Sequence, residues 1–260
     1  MNPISGHMTN GSESEGLPVR SFVIPVLDFS PHSPYNIRSL LEDLRDVPGE
    51  VICIFNRRDV FAELQHHSRI DKFCFNKLNA GVSRSWNIGI NLAEGQAIFI
   101  MNADLHVTPA AIDQLEAWLF RLPNAVIVGP QGSHLDFRNL RVLRYFEKNT
   151  FAEPVRTHDV SGFFFTIHRE KFLRSRLQFD VQYSPCFMEE WDMGLQVIQA
   201  ELASYAVPVE GFDHHWGVSG TVENSPITYF GRRVYRNDVL AANRQRFIKK
   251  WFPGAESVAP

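Results

Sequence analysis

AIFIMNADLHVTP, running from Ala97 to Pro109, decides how the rest of the chain is read. Ala97 to Met101 is a short run of small and apolar side chains between Gly95 and Asn102, the pattern of a strand buried on both faces. It stops abruptly in polar residues, as a central strand does at the rim of its sheet, and that rim is where open α/β sheets place their ligands. Asn102, Asp104 and His106 alternate with Ala103 and Leu105, so an extended chain puts three polar groups on one face, able to converge on a cation or a phosphate. Thr108 and Pro109 then read as the cap and first residue of a helix. The plainer alternative is an acid that only caps that helix.

Working outward, the same strand and helix alternation continues on both sides. SFVIPV (Ser21 to Val26), VICIF (Val51 to Phe55) and Lys72 to Phe75 read as strands. Between them, Ile37, Leu40, Leu41 and Leu44 keep a helical i, i+3, i+4, i+7 spacing, and Asp59 to His66 gives a second helix. NAGVSRSWNIG (Asn79 to Gly89) leads into a helix ending near Glu94, with Arg84 in the loop before it. A helix over Ala110 to Leu122 and a strand over Ala125 to Val128 follow. This alternation calls for a mostly parallel sheet flanked by helices, an α/β nucleotide-binding type.

The second half is less regular. Residues 129–154 read as loop with one or two strands. GFFFTI (Gly162 to Ile167) is a strand with a short helix after it, Met193 to Leu202 a helix, Ser204 to Val207 a strand, and Arg232 to Trp251 a basic terminal helix. The expected organisation is a disordered leader over 1–18 and one domain over 19–260. That domain divides into a nucleotide-binding half (19–130), an acceptor and catalytic half with a smaller mixed sheet (131–228), and a terminal helix (229–260).

Bulk properties exclude several classes. With 44% apolar and 12% aromatic residues in 260, the chain can bury a substantial core and is not disordered as a whole. A net charge of -3 argues against a surface built throughout to grip nucleic acid. Three cysteines without CxxC spacing suggest neither a disulfide framework nor a zinc site, and no apolar run approaches the ~20 residues of a membrane helix. The expectation is a soluble, cytoplasmic protein.

With these pieces placed, the chain resembles the inverting nucleotide-sugar glycosyltransferases of family two, which have the GT-A fold. Four stretches carry the resemblance in order: VIPV with Asp28 after it; NAGVSRSWNIG, similar to an Asn-x-Gly, five residues, Asn-x-Gly signature; IFIMNADLHVTP, similar to the strand with a DxD-type motif; and FDVQYSPCFMEEWDMGLQV, similar to a Phe-Asp … Glu-Asp-x-Asp-Leu segment. Asn56 stands where the family often has Asp, and Asn102 where many members begin the DxD motif, a substitution also found in a rhamnosyltransferase-like branch. Glu190 stands for the Asp of the Glu-Asp pair.

The resemblance implies transfer of a sugar from a nucleoside diphosphate sugar to an acceptor hydroxyl. It implies donor binding by Pro25, Asp28, Asn56, Asn79, Arg84, Asn102 and Asp104, and a divalent cation, Mn²⁺ or Mg²⁺, on Asp104 and a late-loop histidine. His215, four residues before Ser219, fits the family spacing, with His214 the nearby alternative. Glu190 becomes the general base, Glu189 a contact to donor or acceptor, and Asp192 an orienting or capping group. Trp86 and Trp191 are candidate stacking platforms or core residues. The acceptor stays open between a saccharide, a lipid-linked sugar, a protein and a modified nucleobase. Two other functions stay open as well, a nucleotidyltransferase and a degenerate member that binds without turnover.

Overall fold

The computed structural model describes residues 20–30, 33–214 and 224–254. The first part alternates as its pattern predicts: β1 (Arg20–Val26), α1 (Ile37–Asp43), β2 (Glu50–Phe55), α2 (Arg58–Leu64), β3 (Lys72–Phe75), α3 (Val82–Leu92), β4 (Ala97–Met101), β5 (Leu105–Val107) and α4 (Pro109–Arg121). The second part holds β6 (Ala125–Gly129), β7 (Gly132–Asp136), β8 (Arg141–Phe146), β9 (Val155–Thr157), β10 (Asp159–Val160), β11 (Phe164–His168), α5 (Arg169–Arg174) and α6 (Glu189–Gln199). It closes with β12 (Ala203–Ala206), β13 (Phe212–His214), β14 (Pro226–Tyr229), β15 (Arg232–Tyr235) and α7 (Arg236–Trp251).

One eight-stranded sheet, in the order β3-β2-β1-β4-β11-β6-β12-β9, runs through the molecule. β1 to β4 are mutually parallel. β11 enters antiparallel between β4 and β6, pairing Phe164 with Met101 and Thr166 with Val128. Side chains alternate between two apolar layers. Phe22, Phe99 and Met101 pack with Leu40 of α1 and Ile112 and Leu115 of α4, while Val23, Ile98 and Ile100 face Trp86 and Ile90 of α3 and Met193 of α6. At ~1.5–3 kcal/mol for each large side chain taken from water, these layers are the main support of the fold. Gly89 lets α3 lie directly on β1, since a Cβ there would enter the Val23 side chain.

Local chemistry explains the boundaries. Asn36 caps α1 in a reciprocal box with Ser39, and Thr108 caps α4 by accepting from the Ala111 amide, with Pro109 at the first turn. Three expectations change. Most of NAGVSRSWNIG is helix rather than a lead-in: Gly81, at φ 83°, precedes Val82, so Arg84 sits in the first turn of α3 and not in a loop. α6 starts at Glu189 instead of Met193, because three acids in its first turn favour the positive end of the helix. The terminal helix begins at Arg236, since Arg232–Tyr235 pairs with β14 in a hairpin. The expected leader over 1–18 lies outside the described residues, and no helix among the described residues is long and apolar enough to cross a membrane.

Candidate active site

β4 ends at Met101, and the chain does not stay extended: the Leu105 amide donates to the Asn102 carbonyl at 3.2 Å, closing a turn. That turn splits the three polar residues expected on one face. His106 goes to α1, with Nδ1 2.9 Å from Asp43 Oδ2 and its ring stacked on Tyr35. Asn102 and Asp104 instead meet the end of β13, which pairs with β5 in antiparallel register. His214 Nε2 lies 3.4 Å from both Asp104 Oδ1 and Asn102 Nδ2, and its ring stacks on Phe163 at 4.5 Å between centroids. Among the described residues the imidazole beside Asp104 is that of His214; the expected His215 and Ser219 lie outside the described residues.

A continuous wall leads from this pair to the acids. The Asn102 amide donates to the Phe163 carbonyl at 2.8 Å. Next to Phe163, Gly162 makes room for a carboxylate: a Cβ on it would strike Glu190 Oε1 and the Trp86 ring, and its amide donates to Glu190. Glu190 and Glu189 open α6 after two consecutive residues with left-handed backbone, Phe187 (φ 77°) and Met188 (φ 78°), a conformation that costs each non-glycine residue of order 1–3 kcal/mol. That strain aims the two glutamates inward.

Acids dominate the electrostatics on this side. Among the described residues no ion pair reaches Glu189, Glu190 or Asp159. Burial pushes the Glu190 carboxyl well above the usual carboxylate range, with the charges of Glu189 and Asp159 adding to it and amide hydrogen bonds only partly offsetting it. Burial likewise raises Glu189 against the pull of backbone amides, and Glu189 Oε2 has no partner among the described residues. Ser83 Oγ, Arg84 Nε, Trp86 Nε1 and Ser184 Oγ are buried without partners too, on α3 and on the segment that packs against its first turn through the Val82 amide and the Pro185 carbonyl. So many buried orphans in one neighbourhood depart from the usual satisfaction of interior polar groups and favour a polar, many-hydroxyl ligand as their partner.

The other expected residues divide into framing and open positions. Asn56 is saturated by the protein: its amide donates to the Ile54 carbonyl and Ser85 Oγ, and its Oδ1 accepts from Asn76 and the Ala80 amide. Asn79 accepts from the Gly81 amide and donates to the Thr228 carbonyl, tying the start of α3 to the hairpin. Arg84 lies over the Phe230 ring at 5.7 Å. Pro25 sits near the end of β1, and Asp28 Oδ1 takes the Ser30 amide at 2.8 Å. Trp86 is core, edge-on to Phe165 and Phe179, and Trp191 packs on Phe137 and Phe247, so neither offers a free ring face. Asp192, grouped in sequence with the glutamates, faces away from them and holds α7. It accepts from Tyr183 (3.1 Å), Gln196 (2.7 Å) and Trp251 (2.7 Å) and pairs with Lys250 at 2.7 Å. Sequence reasoning passed over Gly162, Phe163 and Asp159; the one signal was a Ser-Gly step opening a strand of three phenylalanines.

This arrangement of sheet, rim turn and late helix of acids is the GT-A fold of glycosyltransferases. The profile of glycosyl transferase family 2 matches residues 36–174, just over half the chain, and the chain belongs to that family. Among solved structures, it is similar to GalNAc-T7 with UDP, GalNAc and Mn²⁺ at a TM-score of 0.64, with 14% identity over 93% of this chain and 49% of that one. It is similar also to TarS of S. aureus at 0.54, with 12% identity over 74% of this chain and 36% of that one. At such identities the likeness is one of fold, and the chain spans about half and about a third of those two proteins. No curated protein sequence matches it.

Proposed function

We propose that the chain transfers a sugar, with inversion, from a nucleoside diphosphate sugar to an acceptor hydroxyl, with Glu190 as the general base. The observation that carries this reading is the wall joining Asp104 and His214, through Phe163 and Gly162, to the half-buried carboxylate of Glu190, which has no cationic partner among the described residues. In a single displacement the hydroxyl oxygen bonds to the anomeric carbon as the bond to the diphosphate breaks, and its proton passes to Glu190 Oε. A carboxylate whose proton affinity is raised from its ordinary range toward neutrality suits that task, because a general base works best when its proton affinity matches the working pH.

Asp104 and His214 fit a divalent cation. A carboxylate, a hard oxygen donor, and an imidazole, a borderline nitrogen donor, 3.4 Å apart suit Mn²⁺ and, less well, Mg²⁺, with phosphate oxygens of the donor as further ligands. Such an ion, when bound, neutralises charge on the departing diphosphate. In this reading Asn102 and Arg84 meet the donor's polar groups, and Glu189 with the orphaned Ser83, Ser184 and Trp86 atoms meets its hydroxyls.

The test is a panel of UDP-, GDP- and dTDP-sugars, dTDP-rhamnose included because of Asn102, assayed for nucleotide release with and without Mn²⁺. Nucleoside diphosphate release that depends on Mn²⁺ is the expected result. Release of pyrophosphate would indicate a nucleotidyltransferase, and tight binding without release a degenerate binder. By calorimetry, Asp104→Ala should weaken nucleotide binding in Mn²⁺ at least ~10-fold, and His214→Ala should do so more than His215→Ala. Unchanged affinity in Asp104→Ala would sink the cation assignment.

A further inference from the structure

Behind Glu190 lies a small cavity of about 10 Å³, near the lower limit for one water, walled by Ile127, Phe165, Phe179 and Met193 with two carboxylates, Glu190 and Asp159. Asp159 belongs to the three-stranded sheet β10-β7-β8, outside the four stretches that carry the family resemblance. It is 7% exposed, and its Oδ1 accepts from the Ser133 amide at 2.7 Å, which fixes the carboxylate through the β7–β10 pairing. A buried acid with amide partners and no cation is costly, and nothing in the framework of β10 requires a charge at this position: an asparagine makes the same bond to Ser133.

We propose that Asp159 is a positioning residue for the general base, its negative charge facing Glu190 across the shared cavity so that Glu190 takes the acceptor's proton more strongly than an isolated glutamate would. This rests on Glu190 being the base. The groups that face Glu190 are few. Glu189 lies beside it on α6, the Gly162 amide donates to it, and Asp159 faces it from β10. The Tyr145 hydroxyl of β8, bonded to Gln131 and Ser161, feels the charge of both Asp159 and Glu190, and so the three lie within one field. On the far side the Cys186 thiol feels Glu189, Glu190 and the Arg236 guanidinium. Asp159 is itself pushed up to about 6 by burial, so it carries its charge above that pH and supplies its field where Glu190 must work.

The readout is the pH dependence of kcat/KM for hydrolysis of the nucleotide sugar that turns over fastest in the panel. In Asp159→Asn, which keeps the bond to Ser133, the acidic limb should move down by about half a unit or more, kcat on the plateau should fall a few-fold as the base weakens, and KM for the donor should hold. Asp159→Ser, smaller and likewise uncharged, should give the same shift and covers the case of a poorly folding asparagine variant. A limb that stays in place in both variants overturns the inference. The parent reading fails separately: it falls if Glu190→Gln retains turnover, whatever Asp159 does.

Discussion

The first turn of α6 has two faces, and they treat the same chemical group in opposite ways. Asp192 is fully buried yet surrounded by donors, from Tyr183, Gln196, Trp251 and the Lys250 ammonium. Burial works against the charge on Lys250, but its bonds to Asp180 and Asp192 outweigh this and raise its proton affinity. Glu189 and Glu190, three and two residues earlier, have backbone amides and each other's like charge. One acid is neutralised and fastens a helix. The other two are left with unspent proton affinity, which is useful only if a substrate supplies what the protein withholds. The contrast separates a carboxylate that the protein satisfies from two that it leaves without a cation among the described residues, and partners rather than place in a motif make the difference.

The strongest way to break the contrast is Glu190→Gln. It keeps size and most hydrogen bonding but removes the proton acceptor, so transfer at saturating substrate should fall by a factor on the order of 10² to 10⁴ with donor affinity held. Near-normal turnover would move the base to another acid. Next comes Asp192→Ala, expected to cost about 3 kcal/mol of stability in a denaturant melt, because buried Tyr183 and Trp251 donors and the Lys250 charge lose their acceptor. Asp192→Asn should keep turnover per folded molecule within about tenfold; a loss as deep as that of Glu190→Gln would show that the two faces are not distinct.

The smallest effect is that of Glu189→Gln on stability against pH. The folded state raises the affinity of Glu189 for its proton, so the native protein binds more protons than the unfolded chain above pH ~4.5, and stability falls as pH rises through that range. The glutamine variant loses this penalty and should gain on the order of 1 kcal/mol over the parent at pH 8 relative to pH 5. An unchanged slope would mean that Glu189 is not held protonated.

The parallel strands were legible because each is a short apolar run punctuated by caps, and Asn36, Thr108 and Pro109 announce their helices by residue type. Asp104, Glu189 and Glu190 could be singled out because polar groups at strand ends and helix starts stand out against apolar runs. The turn after Met101 could not, since alternation of Asn102, Asp104 and His106 fits an extended chain equally well. The pairing of β13 with β5 is what brings His214 beside Asp104, a contact no local pattern announces. The role of Asp192 was hidden for a similar reason. Its partner Trp251 is 59 residues away, and contacts at such separation leave no local periodicity.

The antiparallel strand β11 also has a mechanical consequence. It is bonded along β4 on one side and β6 on the other, so the parallel part of the sheet and the part built from β6, β12 and β9 share a single ladder rather than a flexible joint. Swinging one part away from the other would tear the pairing from Phe164 to His168 out of the middle of an eight-stranded sheet, with its apolar layers exposed. The spacing between the turn at Asn102, which follows β4, and Gly162, which precedes β11, is therefore set by the ladder itself.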